Sequence, residues 1–258
     1  MGNAIYRDLY PYFDTYGTYF TNRSFRSNQQ FFRYDLEQDD VYEVLEKVHP
    51  HVIISALRGN FDAQVQAHHH LMEYISRTRA KLYFISSANV FDAYSKYPSY
   101  EYDKTLSESV FGRFKIKIEN MMMRMPGNRT SILRVPMVFG NNSPRVREIK
   151  AQLDSNQAIE VFPNLIINVT NDDRLTQQIH YLINRDLTGI FHLGSSDLIQ
   201  HEEFIKELIK RMGNYHPILK RVYTTNEDRY LATLPRDNQL PKNLRIGYQE
   251  ILDHQIQA

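Results

Sequence analysis

The feature that most constrains the fold is a set of short, almost wholly apolar runs. They are "HVIISAL" (51–57), "KLYFISS" (81–87) and "TSILRVPMVFG" (130–140). A strand with one solvated face alternates apolar and polar residues, whereas a parallel sheet covered on both faces needs continuous runs of this kind. The segments between and before them carry helical periodicity. "DDVYEVLEKVHP" (39–50) puts Val41, Val44, Leu45 and Val48 on one stripe, with Asp39 or Asp40 as cap and Pro50 just past the end. "DAQVQAHHHLMEYISRT" (62–78) and "SESVFGRFKIKIENMMMRM" (107–125) read as two further helices, and "TYGTYFT" (15–21) and "QFFRY" (30–34) as β-rich runs near the start. This alternation predicts an α/β fold with a Rossmann-like parallel sheet.

Beyond Gly140 the alternation loosens. Helices are expected over 143–156, 172–185 and 200–213, the last closed by Gly213, and strands over 158–162 and 189–195. The predicted organisation is a Rossmann-like domain over 1–140 and a smaller lobe, mostly 141–258, interleaved with it.

Composition narrows the function by exclusion. A net charge of +1 supplies no field for nucleic acid or a membrane surface. The absence of cysteine removes disulfides, thiolate metal sites and cysteine nucleophiles, and suits a reducing cytoplasm. No apolar run reaches the roughly 18 residues of a membrane span. Arg7 and Asp8 stand where a signal peptide would be apolar, and Tyr6 stands where a myristoylation motif needs Ser or Thr. "HHH" (68–70) does not make a metal site on a helix, because successive residues point about 100° apart. "MMMRM" (121–125) is expected to pack. The 18 Tyr and 14 Phe fit either packing or stacking on a ligand. The expectation is a cytoplasmic protein with a small-molecule partner, no metal, no nucleic acid and no membrane.

Four segments come in succession: "ISSANVFD" (85–92), "YPSYEYD" (97–103), "LSESVFGRFKIKIEN" (106–120) and "ILRVPMVFG" (132–140). In order and spacing they resemble the extended short-chain dehydrogenase/reductases, and most closely the branch of dTDP-4-dehydrorhamnose reductases and related sugar-nucleotide-binding proteins. The resemblance continues through "GIFHLGSSDLIQHEEF" and "LPRDNQLPKNL" and so covers most of the chain. It implies that Ser87 is the catalytic Ser/Thr that hydrogen-bonds the substrate oxygen. It also implies that Lys115 binds the nicotinamide ribose, with Glu119 beyond it on the same helix. Phe111 stands where the family keeps its catalytic tyrosine. Hydride transfer to a ketone needs a proton, and a phenyl ring has none; losing a general acid costs about 10²–10⁴ in rate. Tyr100 and Lys104 also spell Tyr-x-x-x-Lys, but "PSYEYD" reads as extended, and such a pair shares a face only on a helix. Tyr94 and Tyr97 are loop candidates for a substitute acid.

The same resemblance implies a glycine-rich turn after a first apolar strand, with the pyrophosphate on the next helix N-terminus. Gly2 and "NAIYRDLYPYF" match the third glycine and the helix after it, which places the first strand and two glycines before residue 1. Without that strand, the strands near 15–21 and 51–57 are expected to face each other across about 10 Å, two strand spacings. Asn22 and Arg23 stand where an acid would bind the ribose of NAD, which favours NADP over NAD. Asp35 and Leu36 match an adenine-flanking pair, and Ser55, Ala56 and Leu57 lie in the segment beside the cofactor, with Arg58 a possible phosphate contact. The expected function is NAD(P)-dependent reduction or epimerisation of a nucleotide-activated sugar, with homodimerisation possible. The alternative is a catalytically silent protein that binds the sugar nucleotide or the cofactor in a regulatory role.

Overall fold

The computed structural model describes residues 1–141 and 143–253. In chain order its elements are α1 (Gly2–Leu9), β1 (Gly17–Tyr19), β2 (Phe31–Arg33), α2 (Val41–Val48), β3 (Val52–Ser55), α3 (Phe61–Arg77), β4 (Lys81–Ser87), α4 (Val110–Met122) and β5 (Thr130–Val135). Next come β6 (Met137–Val138), α5 (Pro144–Asp154), β7 (Ile159–Val161), β8 (Leu165–Ile167), β9 (Val169–Thr170), α6 (Asp172–Asn184) and β10 (Gly189–His192). The series ends with β11 (Ile199–Gln200), α7 (His201–Met212), β12 (Leu219–Arg221), β13 (Arg229–Leu231) and α8 (Tyr248–Asp253). The principal sheet has the strand order β10-β5-β4-β3, so the α/β reading holds.

The chain divides into two compact units. The first comprises Met1–Ser86, Phe114–Leu133 and Ile179–Gly189; the second comprises Ser87–Arg113, Arg134–Gln178 and the described residues from Ile190 onward. Residues 87–113 group with the second unit, and 179–189 with the first.

In the first unit β3 runs parallel to β4, from Val52 opposite Lys81 to Ser55 opposite Phe84. β1 and β2 form a separate two-stranded parallel sheet. β1 and β3 therefore belong to different sheets. The continuous apolar run 51–57 predicts burial throughout, and here the structure differs: Val52, Ile53 and Ile54 are only half-buried, while Leu82 and Tyr83 on β4 are 0% exposed. Among the described residues β3 is paired on one side only, and an edge strand shields its side chains from one flank alone.

The small β1-β2 sheet is held by rings. Tyr10 stacks on Tyr6, Tyr6 meets Phe31 edge-on with centroids 4.5 Å apart, and Phe31 stacks on Phe25 at 4.3 Å. A Cβ at Gly17 would lie 2.5 Å from the Phe31 ring, so this ladder requires a glycine there. Much of the aromatic content near the N-terminus is thus spent on packing. α2 begins on Asp40, whose carboxylate accepts the Tyr42 N–H at 3.0 Å, and α3 begins on Asn60, which caps both Asp62 and Ala63.

The second unit has its own core, which includes Phe139, Val161, Ile167, Val169, Phe204, Leu208 and Ile251. Around it β8 pairs antiparallel with β11 and parallel with β13, while β7 pairs with β12 and β6 with β9, both in parallel. α7 contributes Phe204, Ile205, Leu208 and Ile209, an i, i+1, i+4, i+5 stripe that buries one face of an otherwise charged helix. Among the described residues no helix is long and apolar enough to cross a membrane.

Candidate active site and substrate pocket

Lys115 lies in the first unit. It is 8% exposed, and its Nζ donates to the Ile85 carbonyl at 2.9 Å. The ammonium sits 4.5 Å from the centre of the Phe84 ring and 5.3 Å from that of Phe114, and Phe61 stacks on Phe114 in turn. Burial pushes its pKa down to about 8, opposed by the negative charge of Glu119. Glu119, one turn further along α4, is fully buried and accepts the Ser86 hydroxyl at 2.5 Å. Nearby, His68 donates Nδ1–H to the Gln64 carbonyl at 2.6 Å, which leaves Nε2 to accept the Ser55 hydroxyl at 2.9 Å. Burial lowers the His68 pKa to about 4, so the ring is neutral at neutral pH. The three histidines 68–70 diverge, with His68 inside, His69 exposed and His70 beside Asp40, and no group of three metal-ligating side chains occurs among the described residues.

Ser87 and Phe111 lie in the second unit, in segments pressed together. A Cβ at Gly112 would lie 2.0 Å from the Ser107 hydroxyl and 2.3 Å from the Asn89 carbonyl. Only glycine lets the first turn of α4 approach the 3₁₀ turn Ala88–Phe91 this closely. Asp92 fastens the same joint: it accepts the Ser109 hydroxyl at 2.5 Å and the Glu108 N–H at 2.7 Å, while Ser109 Oγ accepts the Gly112 N–H at 3.0 Å. α4 accordingly starts at Val110, and 107–109, read as helix in the sequence, form its cap. Phe111 is on this first turn, 40% exposed.

The Ser87 hydroxyl is engaged within its own turn. It donates to Asn89 Oδ1 at 3.0 Å and accepts the Asn89 N–H at 3.3 Å. Asn89 also lines a pocket of about 190 Å³, with Asp92, Phe162, Leu165, Arg229 and Tyr230. The Arg229 guanidinium is steadied by the Thr224 hydroxyl at 2.7 Å. This pocket combines aromatic rings, a cation and the turn that carries Ser87.

The other motif segments are structural. Glu101, fully buried, accepts the backbone N–H groups of Arg236, Asp237 and Asn238 at 3.1–3.4 Å. The loop 97–103 is thereby clipped to "PRDN". Arg134, 1% exposed, donates to the Glu101 carbonyl at 2.8 Å and stacks on Phe91. Tyr100 and Lys104 flank a turn and are not helical, and Tyr100 is covered by Arg236 at 4.2 Å. Tyr94 and Tyr97 are exposed. Sequence reasoning misses Gly112, Asn89 and Glu101. The isolated glycine inside a helical pattern is the available signal for the first, since such glycines mark close backbone approach.

The residues expected to hold a dinucleotide are only partly suited to it. Gly2 opens α1, and a Cβ there would sit 3.8 Å from Ala56, an ordinary contact, so this is not a backbone cradle that demands glycine. Asn22 caps a 3₁₀ turn through Ser24, and Arg23 is exposed on it. The Asp35 carboxylate accepts the Glu37 N–H and lies 3.9 Å from Arg33. Leu36, Ala56 and Leu57 are half-buried, Ser55 is closed off by His68, and Arg58 is exposed. Ala56 is the one expected cofactor neighbour that Gly2 meets; Asn22, Asp35 and Ser55 spend their polar groups on local structure.

No curated protein matches the chain. Solved structures do match it. A hypothetical dTDP-4-dehydrorhamnose reductase from Sulfolobus tokodaii superposes with a TM-score of 0.76 at 18% identity, covering 90% of this chain and 87% of that one. A dTDP-4-dehydrorhamnose reductase from Bacillus anthracis in complex with NADP gives 0.71 at 19%, covering 87% and 88%. A dTDP-glucose 4,6-dehydratase from Bacillus anthracis in complex with NAD gives 0.79 at 12%, covering 99% and 91%. At these identities the likeness is one of fold. The family profile is the more specific finding: the RmlD substrate binding domain matches residues 36–245, and the chain belongs to that family, within the extended short-chain dehydrogenase/reductases.

Proposed function

We propose that this chain binds a nucleotide-activated sugar in the pocket beside Ser87, and that its own residues do not complete the proton relay of a reductase. The observation that carries this reading is the pairing of Phe111, which has no proton to give, with a Ser87 hydroxyl already committed to Asn89. The aromatic rings of Phe162 and Tyr230 suit a nucleobase, and Arg229 suits a phosphate. A nicotinamide dinucleotide is the cofactor class to which the family and its NAD- and NADP-bound neighbours point. When bound it would supply hydride; with the dinucleotide residues engaged locally, no step is assigned to it.

A second reading, a working reductase or epimerase on such a sugar, is favoured by one observation. Lys115, Glu119 and Ser86 survive as a buried polar group, with the lysine poised to titrate near pH 8. Calorimetric titration with dTDP-glucose, and separately with NADPH, tests both. Saturable binding of the sugar nucleotide with no NADPH oxidation in the presence of nucleotide-sugar ketones supports the binding protein. Turnover by the unaltered chain would establish the reductase. Absence of binding to either ligand would remove both readings.

A further inference from the structure

A second pocket, remote in sequence from Ser87, lies in the second unit where α5 and α7 end and where β7 and β12 begin. Its volume is about 200 Å³. Four carboxamides line it: Gln152, Asn156, Gln157 and Asn214. Asn156, Gln157 and Asn214 are exposed and Gln152 is half-buried, so their side-chain amides face solvent and are open to a ligand.

The backbone around the pocket is fixed. Ser155 returns its hydroxyl to the Ala151 carbonyl at 2.6 Å, Asn156 holds φ 55°, and the Gln157 N–H closes on the Gln152 carbonyl at 2.8 Å. On the other wall the Ile159 N–H bonds the Ile218 carbonyl at 2.9 Å, and Gly213 turns the chain with φ 138°. The carboxamides therefore project from the last turn of α5 and from two anchored turns.

The chemistry of the lining selects a ligand class. No lysine, arginine, aspartate or glutamate lines the pocket, which argues against a phosphate and against an amine; His216 is its sole titratable group besides Tyr215. A carboxamide offers an N–H donor and a C=O acceptor side by side. Two adjacent hydroxyls on one ring present the complementary acceptor and donor. The remaining wall, Tyr215 with Pro217 and Ile218, is apolar enough to cover the C–H face of such a ring. From these features we infer that the pocket is a binding site for a neutral saccharide unit, one pyranose ring with vicinal hydroxyls. This does not rest on the reading of the Ser87 pocket.

The test is a ¹H–¹⁵N titration of the full chain with methyl α-D-glucopyranoside and, separately, methyl α-L-rhamnopyranoside. The side-chain NH₂ signals of Gln152, Asn156, Gln157 and Asn214 should shift saturably with one of them, with a Kd on the order of millimolar. Asn214→Ala and Gln157→Ala, both at exposed positions, should each weaken that binding roughly tenfold, equivalent to about 1.4 kcal/mol, while the spectrum stays otherwise dispersed as in the parent. No shift of these amides with either glycoside overturns the proposal. So do equal shifts with glycerol, or saturation by putrescine in place of the sugars. Undiminished sugar binding in both variants would overturn it as well.

Discussion

The two turns at the start of α4 are held in place by opposite means. The first, with Phe111 and Gly112, is fixed by steric fit: a helix pressed on a backbone carbonyl, possible because one residue lacks a Cβ. The second, with Lys115, is fixed together with Glu119 one turn on by buried polar bonds and ring faces. A site made by fit fails when volume is added. One made by buried charge fails when a partner is removed or the proton inventory changes.

Four measurements test that contrast. Glu119→Ala has the largest expected effect, a loss of about 3–5 kcal/mol, because it strands the Ser86 hydroxyl and leaves Lys115 without its nearby negative charge. Denaturant unfolding reads it, and a loss below about 1 kcal/mol would mean the pocket is wetter than its burial indicates.

Next is the pH response of Lys115. Its folded pKa of about 8 lies below the ordinary lysine value of 10.5, so between these values the unfolded chain holds a proton that the folded chain has released. Stability therefore rises with pH across that window, by at most about 1.4 kcal/mol per unit. In Lys115→Met this rise disappears, so the wild type should gain on the variant between about pH 8 and 10. Tyr34 and Tyr83, pushed up to about 12 by burial, act in the opposite direction but equally in both proteins. Parallel curves would show that Lys115 is not buried as a cation.

Gly112→Ala should cost about 1–3 kcal/mol by overpacking. Adding Ser107→Ala should recover only part of it, because the Asn89 carbonyl remains in the way. Full recovery would mean that the hydroxyl alone demands the glycine. The smallest effect is expected from Asn89→Ala, about 1 kcal/mol for the lost side-chain bond. Its informative readout is ligand affinity: with Ser87 released to meet a substrate oxygen, nucleotide-sugar binding should tighten or stay level. A large loss would make Asn89 itself a ligand contact.

The sequence was legible where burial is two-sided. β4 and β5 lie where their apolar runs predict, because nothing else accommodates such residues. The run at 51–57 misled in one respect. Its composition is that of an interior strand, yet β3 is an edge, and strand neighbours are not written in the strand itself. At the site, Ser87, Phe111 and Lys115 could be aligned with a motif, but what each touches could not. The bond between Ser87 and Asn89 depends on a local 3₁₀ turn, and the cage around Lys115 draws on Phe84 and Ile85, about thirty residues upstream. Glu101 belongs in the sequence to one of the segments that carry the family resemblance, but nothing there tells that three successive backbone N–H groups converge on it.

That nest around Glu101 also makes two distant stretches of chain into one clasp. A single carboxylate gathers the N–H groups of Arg236, Asp237 and Asn238 onto the segment 97–103. Neither segment can lift without breaking the bonds of the other, so the two are released together.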